Sequence, residues 1–194
     1  MRLCVYGASS NAINEIYIKS GEKLGKAIAE RGHEVVFGGG DGGMMGAVAR
    51  GAHENGGRVT GIAPSFFKVD GVLYKHCDEF IYPETMRERK RLLEDMSAAF
   101  IVTPGGSGTF DELFEILTLK QLSRHEKAIV ILNIAGYYDA LVAMLENAIS
   151  GNFMTPANRE LYFVTDSIGA ALDYIENYKP EKVVLSDLKE IKQQ

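Results

Sequence analysis

Ala98-Ala99-Phe100-Ile101-Val102-Thr103-Pro104-Gly105-Gly106-Ser107-Gly108-Thr109-Phe110-Asp111-Glu112 decides the fold, because a short apolar run passes through three closely spaced glycines into an amphipathic segment. Residues 98–103 read as a buried strand, and Leu113, Phe114, Ile116, Leu117 and Leu122 recur behind the glycines at helical spacing. The glycines therefore fall at a strand-to-helix turn. Such a turn leaves backbone N–H groups unpaired and aims a helix dipole, equivalent to about half an elementary charge, at whatever lies in front of it. The guest it suits is an anion. Thr109-x-x-Glu112 also has the spacing of a capping box, so Glu112 reads either as a helix cap or as a functional carboxylate. Capping alone does not need three glycines. The dipole favours the charged form of a carboxylate placed there, so Glu112 is expected to be ionised at neutral pH.

Outward from this turn, strand patterns alternate with helical ones along the chain: 2–6, 34–37, 58–62, 79–82, 98–103, 128–133 and 161–165 read as strands. Alternation of this kind implies βαβ units, hence a doubly wound, mainly parallel α/β sheet with helices on both faces. Ligands of open α/β sheets bind outside the carboxyl ends of the strands. Three loops follow strands there: Gly7-Ala8-Ser9-Ser10, Gly38-Gly39-Gly40 and Pro104-Gly105-Gly106. They can line one site although they are far apart in sequence.

Gly38-Gly39-Gly40-Asp41-Gly42-Gly43 matches Gly-x-Gly-x-x-Gly, but the strand after its helix carries no acidic residue to hold a ribose, which argues against NAD. The loop reads either as a tight turn with close helix-sheet packing or as a direct nucleotide contact. In the basic run Thr85 to Met96, residues Met86, Arg89, Leu93 and Met96 recur at intervals of three, four and three, which puts Arg89 on an apolar helical stripe. Arg87, Lys90 and Arg91 lie to the sides. An arginine among core-facing residues is costly unless it is paired, snorkels out or serves a ligand, and the spacing leaves these readings open.

With 194 residues, 46% of them hydrophobic, the chain suits a single α/β domain over 1–194. A net charge of −5 argues against nucleic acid or an anionic membrane as partner, so an anionic ligand needs a local positive pocket. No apolar run approaches the roughly 20 residues of a membrane span, and the start of the chain reads as a first strand rather than a signal peptide. Cys4 and Cys77 show no paired spacing and the histidines do not cluster, which suggests a reducing cytoplasm and no structural metal. The stretch 180–194 reads as a docked terminal helix or a partly disordered tail.

Met86-x-x-Arg89-Lys90 followed by Pro104-Gly105-Gly106-x-Gly108-Thr109-x-x-Glu112 resembles the signature of the LOG family, the cytokinin riboside 5′-monophosphate phosphoribohydrolases, often mislabelled lysine decarboxylases. The likeness extends to Gly7-Ala8-Ser9-Ser10, Gly38-Gly39-Gly40 with Gly43-Met44-Met45-Gly46, and Asn133-x-x-Gly136-Tyr137-Tyr138. Ser107 departs from the aromatic common in plant members and Asp111 from a frequent Glu; both changes bear on substrate preference more than on reaction type.

The resemblance implies a Rossmann-like sheet, a homodimer or larger assembly, no metal and no cofactor. It also implies hydrolysis of a nucleoside 5′-monophosphate, AMP or an N6-substituted adenine riboside 5′-monophosphate, to free base and ribose 5-phosphate. Arg89 and Glu112 match the family's catalytic pair. Ser9, Gly39, Gly40, Lys90, Gly105, Gly106, Ser107, Gly108, Thr109, Asp111 and Thr118 match positions that hold the nucleotide. Glycosyl hydrolysis develops positive charge on the sugar, so an ionised Glu112 would stabilise that charge or activate water and would be poorly suited as the acid. The rival expectations are a non-catalytic nucleotide or molybdenum-cofactor carrier, and a pyridoxal-phosphate decarboxylase, for which no lysine stands out.

Overall fold

A computed structural model describes residues 1–180. Its strands are β1 (Arg2–Tyr6), β2 (Glu34–Phe37), β3 (Val59–Ile62), β4 (Glu79–Ile81), β5 (Ala99–Val102), β6 (Ala128–Leu132) and β7 (Phe163–Thr165). They form one sheet in the order β4-β3-β2-β1-β5-β6-β7, and every ladder is parallel. The seven expected strands are all present, several trimmed by a residue or two; Leu161 belongs to a 3-10 turn instead. Of the tail expected at 180–194, residues 181–194 lie outside the described residues.

The crossovers are α1 (Glu15–Glu30), α2 (Gly43–His53), α3 (Met86–Asp95), α4 (Ser107–Gln121) and α5 (Asp139–Ser150), and α6 (Ile168–Asn177) follows the last strand. Because strand side chains alternate, each buried strand feeds two cores. Leu3, Val5, Ala99, Ile101, Val130 and Leu132 pack under α1, α2 and α6. Cys4, Tyr6, Phe100, Val102, Ile129 and Ile131 face α3, α4 and α5. Burial on both sides explains why these strands read as continuous apolar runs rather than alternating ones.

β1 is paired on one edge by β2 and on the other by β5. The order of the chain reverses there, so the loops leaving β1 and β5 diverge to opposite faces and open a crevice between them. Both turns are fastened together: the Ala8 amide donates to Pro104 O at 3.0 Å, and the Thr103 amide and hydroxyl both donate to Tyr6 O, each at 2.8 Å.

One of the two readings left open for Glu112, the helix cap, is not what the structure shows. Gly106 is the N-cap of α4 and no side chain caps it, so Thr109 sits at the third helical position and Glu112 one turn deeper. The same Thr-x-x-Glu spacing does make a capping box at the start of α3: Thr85 Oγ1 accepts from the Glu88 amide at 3.2 Å while Glu88 Oε2 accepts from the Thr85 amide at 3.1 Å. Glu112 is therefore not a cap.

Candidate active site

A cavity of about 560 Å³ opens at the crevice beside the carboxyl ends of β1, β2 and β5. Arg89 and Glu112 both line it and are both 7% exposed. The register on α3 that places Arg89 on the apolar stripe brings it under the sheet edge, where Arg89 Nε donates to Ile62 O at 3.1 Å and Nη1 donates to Glu112 Oε1 at 2.7 Å. Glu112 Oε2 has no protein hydrogen-bond partner among the described residues. Of the three readings left open for Arg89, the structure shows the buried pair, and that pair lies on the cavity wall.

The electrostatics differ from the sequence expectation. Burial pushes the Glu112 carboxyl up from its ordinary value, and the Arg89 guanidinium, by its charge and its hydrogen bond, offsets this only in part. The helix dipole is not what governs it, since its effect is confined to the first turn. Beneath the pair, burial raises the Cys4 thiol to about 12 and holds the Tyr6 hydroxyl well above its usual range, so both stay neutral.

In the same cavity, Gly106, Ser107, Gly108 and Thr109 form part of the lining with the start of α4. Their amides find no acceptor among the described residues, whereas the next amide, that of Phe110, already donates to Gly106 O at 3.0 Å. Four N–H groups and a helix N-terminus thus converge at one wall, as an anion requires. Ser9 and Gly40 line the same cavity.

Gly38, Gly39 and Gly105 give room to others. A Cβ on Gly38 would lie 2.1 Å from Arg89 Nη2, and one on Gly105 would lie 2.1 Å from Thr109 Oγ1. Gly39 takes a φ of +76°, and a Cβ there would lie 2.5 Å from the Phe80 ring. The second glycine loop is therefore a tight packing turn, with Gly38 and Gly40 also lining the cavity. Five residues expected to hold the nucleotide, Gly39, Lys90, Gly105, Asp111 and Thr118, are not among the lining residues. Lys90 Nζ is 3.0 Å from Asp111 Oδ2 and 2.5 Å from Glu115 Oε2, and Thr118 is exposed farther along α4.

The far wall is apolar. Met45, Phe67, Val72, Leu73 and Met86 also line the cavity; of these, Met86 had a signal in the sequence as the first member of the α3 stripe, and Met45 as part of Gly43-Met44-Met45-Gly46. Phe67 and Val72 lie on the loop after β3, whose aperiodic sequence points to nothing. Asn11 was also missed; its Oδ1 accepts from the Gly43 amide at 2.9 Å and ties the first loop to the start of α2. Among the described residues no group of three or more His, Cys, Asp or Glu is placed to hold a metal, and no helix is long and apolar enough to cross a membrane.

Comparison with known proteins places relatives beside this geometry. A family model described as "Possible lysine decarboxylase" matches residues 45–175. A rice protein, Oryza sativa subsp. japonica, named probable cytokinin riboside 5′-monophosphate phosphoribohydrolase LOGL5, is 35% identical over 92% of this chain and 73% of its own. The Arabidopsis thaliana cytokinin riboside 5′-monophosphate phosphoribohydrolase LOG5 is 34% identical over 92% of this chain and 78% of its own. Among solved structures, the molybdenum cofactor carrier protein of Chlamydomonas reinhardtii superposes with a TM-score of 0.68 at 21% identity, covering 90% of this chain and 95% of that one. The molybdenum cofactor binding protein of Rippkaea orientalis gives 0.66 at 20%, with 90% and 93% covered. Identities this low speak to the fold alone.

Proposed function

The chain belongs to the LOG family, and from that premise we propose that it hydrolyses the N-glycosidic bond of a nucleoside 5′-monophosphate, AMP or an N6-substituted adenine riboside 5′-monophosphate, to free base and ribose 5-phosphate. The observation that carries the reading is the buried Arg89–Glu112 pair at 2.7 Å, set in one cavity with the unpaired amides at the start of α4. A carrier needs the amides but has no use for a desolvated carboxylate in the same cavity.

In this reading the 5′-phosphate rests on the Gly106 to Thr109 amides and the ribose turns its anomeric carbon toward Glu112. The bond from that carbon to the base nitrogen breaks, and the electron pair leaves with the base. Glu112 faces the positive charge that develops on the sugar. Its Oε2 can then take the proton of the attacking water, while Oε1 stays with Arg89. Arg89 fixes the carboxylate, and the local positive potential that an overall acidic chain needs comes from the unpaired amides at the start of α4. The raised pKa of Glu112 suits proton uptake better than a fully solvated carboxylate would, and it also allows that proton to be passed to the departing base.

The decarboxylase description attached to the family model finds no support here, since no lysine lines the cavity among the described residues. Lys120, which burial lowers to about 8, donates to Leu161 O and is not among the lining residues. A homodimer is part of the proposal, favoured by Phe114 on α4, Leu122 at its C-cap, and Met144 and Phe153 on and after α5, all of them exposed. A reducing cytoplasm fits two free cysteines. The test is incubation with a panel of nucleoside monophosphates and chromatography for base and ribose 5-phosphate. Release from at least one is expected; binding without release from any would leave the carrier reading in its place.

A further inference from the structure

Three consecutive carbonyls in the turn after β5 are each held by a different donor. Tyr138 Oη donates to Thr103 O at 2.7 Å, the Ala8 amide donates to Pro104 O at 3.0 Å, and Tyr137 Oη donates to Gly105 O at 2.5 Å. The third differs from the other two. It acts on the Gly105–Gly106 peptide, which has glycine on both sides and so meets little steric resistance to turning over. In a trans peptide the carbonyl and the following N–H point in opposite directions, and the chain has no cis bond among its described residues. Holding Gly105 O on the Tyr137 side therefore turns the Gly106 N–H away from Tyr137, and Gly106 lines the cavity. The Thr103 carbonyl precedes proline and has no N–H to aim.

The turn that presents Tyr137 is itself built for the purpose. Ala135 and Gly136 adopt left-handed φ values of 53° and 71°, and Asn133 spans them, its Oδ1 accepting from the Tyr138 amide at 2.6 Å and its Nδ2 donating to Asp139 at 2.7 Å. The Tyr137 ring is wedged edge-on between Tyr17 and Tyr138, with centroids 5.9 and 5.0 Å away.

We infer that Tyr137 is a positioning residue: its hydroxyl locks the Gly105–Gly106 peptide with the N–H facing the cavity, so that Gly106 becomes one of the donors that grip the substrate's 5′-phosphate. This rests on the phosphoribohydrolase reading for the identity of the anion. Without the hydroxyl the carbonyl loses its partner, the peptide is free to turn over, and the cradle loses a donor.

The test compares the unaltered protein with Tyr137→Phe and Tyr138→Phe, reading kcat and KM for AMP together with the Kd of ribose 5-phosphate and of adenosine. Tyr137→Phe keeps the ring contacts. It should raise KM for AMP and Kd for ribose 5-phosphate at least about 10-fold, the worth of one charge-assisted hydrogen bond, and leave kcat and the Kd of adenosine unchanged. Tyr138→Phe should lower stability without that preference for phosphate-bearing ligands. An unchanged Kd for ribose 5-phosphate in Tyr137→Phe overturns the inference, and so does equal weakening of both ligands in both variants. Because ribose 5-phosphate binding is read without turnover, a protein that binds it but cleaves no nucleotide would remove the proposed activity and leave the Tyr137 lock standing.

Discussion

Replacing Gly38 by alanine puts the catalytic proposal to a sharp test, because the new methyl group meets Arg89 before anything else. Gly38 does not have a positive φ, so alanine brings no backbone strain. Its Cβ would lie 2.1 Å from Arg89 Nη2, 3.2 Å from Met45 Sδ and 3.3 Å from Arg89 Cζ, whereas ordinary contact starts near 3.4 Å. The guanidinium must therefore retreat by ~1 Å or more, a displacement that can cost roughly 100-fold in rate when it falls on a reacting group. It cannot do so freely, being bound at 3.1 Å to Ile62 O and at 2.7 Å to Glu112. Overpacking of this kind costs about 1–3 kcal/mol of stability, which leaves most of the protein folded at 25 °C. The assay is base release from AMP, alongside urea unfolding. In an Arg89→Met background the guanidinium the methyl strikes is gone and only the Met45 Sδ contact at 3.2 Å remains, so the same substitution should add little, a non-additivity expected of touching residues. A folded Gly38→Ala protein with kcat/KM within about threefold of normal, less than ~1 kcal/mol of barrier, would refute the role given to Arg89.

Glu112→Gln should still fold, since Glu112 caps nothing and the amide can keep a hydrogen bond to Arg89, although the buried guanidinium loses its counter-charge, and it should lose base release; in the parent, kcat/KM should fall on the acid side through a pKa above the ordinary carboxylate value of 4.5. Arg89→Met removes the two largest influences that hold this pKa down, so its acid limb should move to higher pH, and a limb that stays put would exclude Glu112 as the titrating group. Gly106→Ala meets nothing within 4 Å and should keep stability within about 0.5 kcal/mol while weakening ribose 5-phosphate binding; Gly105→Ala, striking Thr109 and the Ala8 amide at 2.1 and 3.0 Å, should instead destabilise, and urea titration of both variants separates the two. His125 is buried, shares a hydrogen bond of 2.8 Å with Ile116 O and has its pKa lowered from 6.5 to about 4. The unfolded chain thus takes up a proton that the folded one refuses, and up to about 3 kcal/mol of stability should be lost as pH falls from 6.5 to 4; His125→Gln should flatten that slope in urea titrations, and an unchanged slope would exonerate the histidine.

The strands were legible because most of them are buried on both faces, which leaves runs such as Phe100-Ile101-Val102 and Ile129-Val130-Ile131 with no polar interruption. The position of Arg89 was legible for a related reason, a charged residue in step with Met86 and Leu93 on one helix face. What could not be read was the loop after β3, where Phe67 and Val72 come to line the cavity. They get there through pairing of the loop with the second glycine turn, Asp41 donating to Val72 O at 3.0 Å and Tyr74 donating to Gly39 O at 2.9 Å, and long-range backbone pairing of an aperiodic segment leaves no local pattern. Lys90 and Asp111 fail in the opposite way. Each has the right neighbours in sequence, but α3 and α4 lie close enough that the two charges satisfy one another outside the cavity.

The glycines show why residue type alone could not divide scaffold from site. At Gly7, Gly38 and Gly105 a Cβ would strike a neighbour at about 2 Å, so packing by itself favours glycine; at Gly106 and Gly108 it would meet nothing, so the fold has no need of glycine there and only the proposed ligand would. All five look alike in the sequence. The two Thr-x-x-Glu segments pose the same problem, and the start of the helix resolves it. Ahead of α3 the threonine is itself the N-cap, and Glu88 is consumed in closing the box. Ahead of α4 a glycine takes that position three residues earlier, so the first amides of α4 have no side chain to bind and Glu112 is carried inward to Arg89. A side-chain cap at Gly106 would satisfy those amides and fill the cradle. The glycine turn thus leaves donors for an anion and a carboxylate for chemistry by the same omission, which is why the two occur together in one cavity.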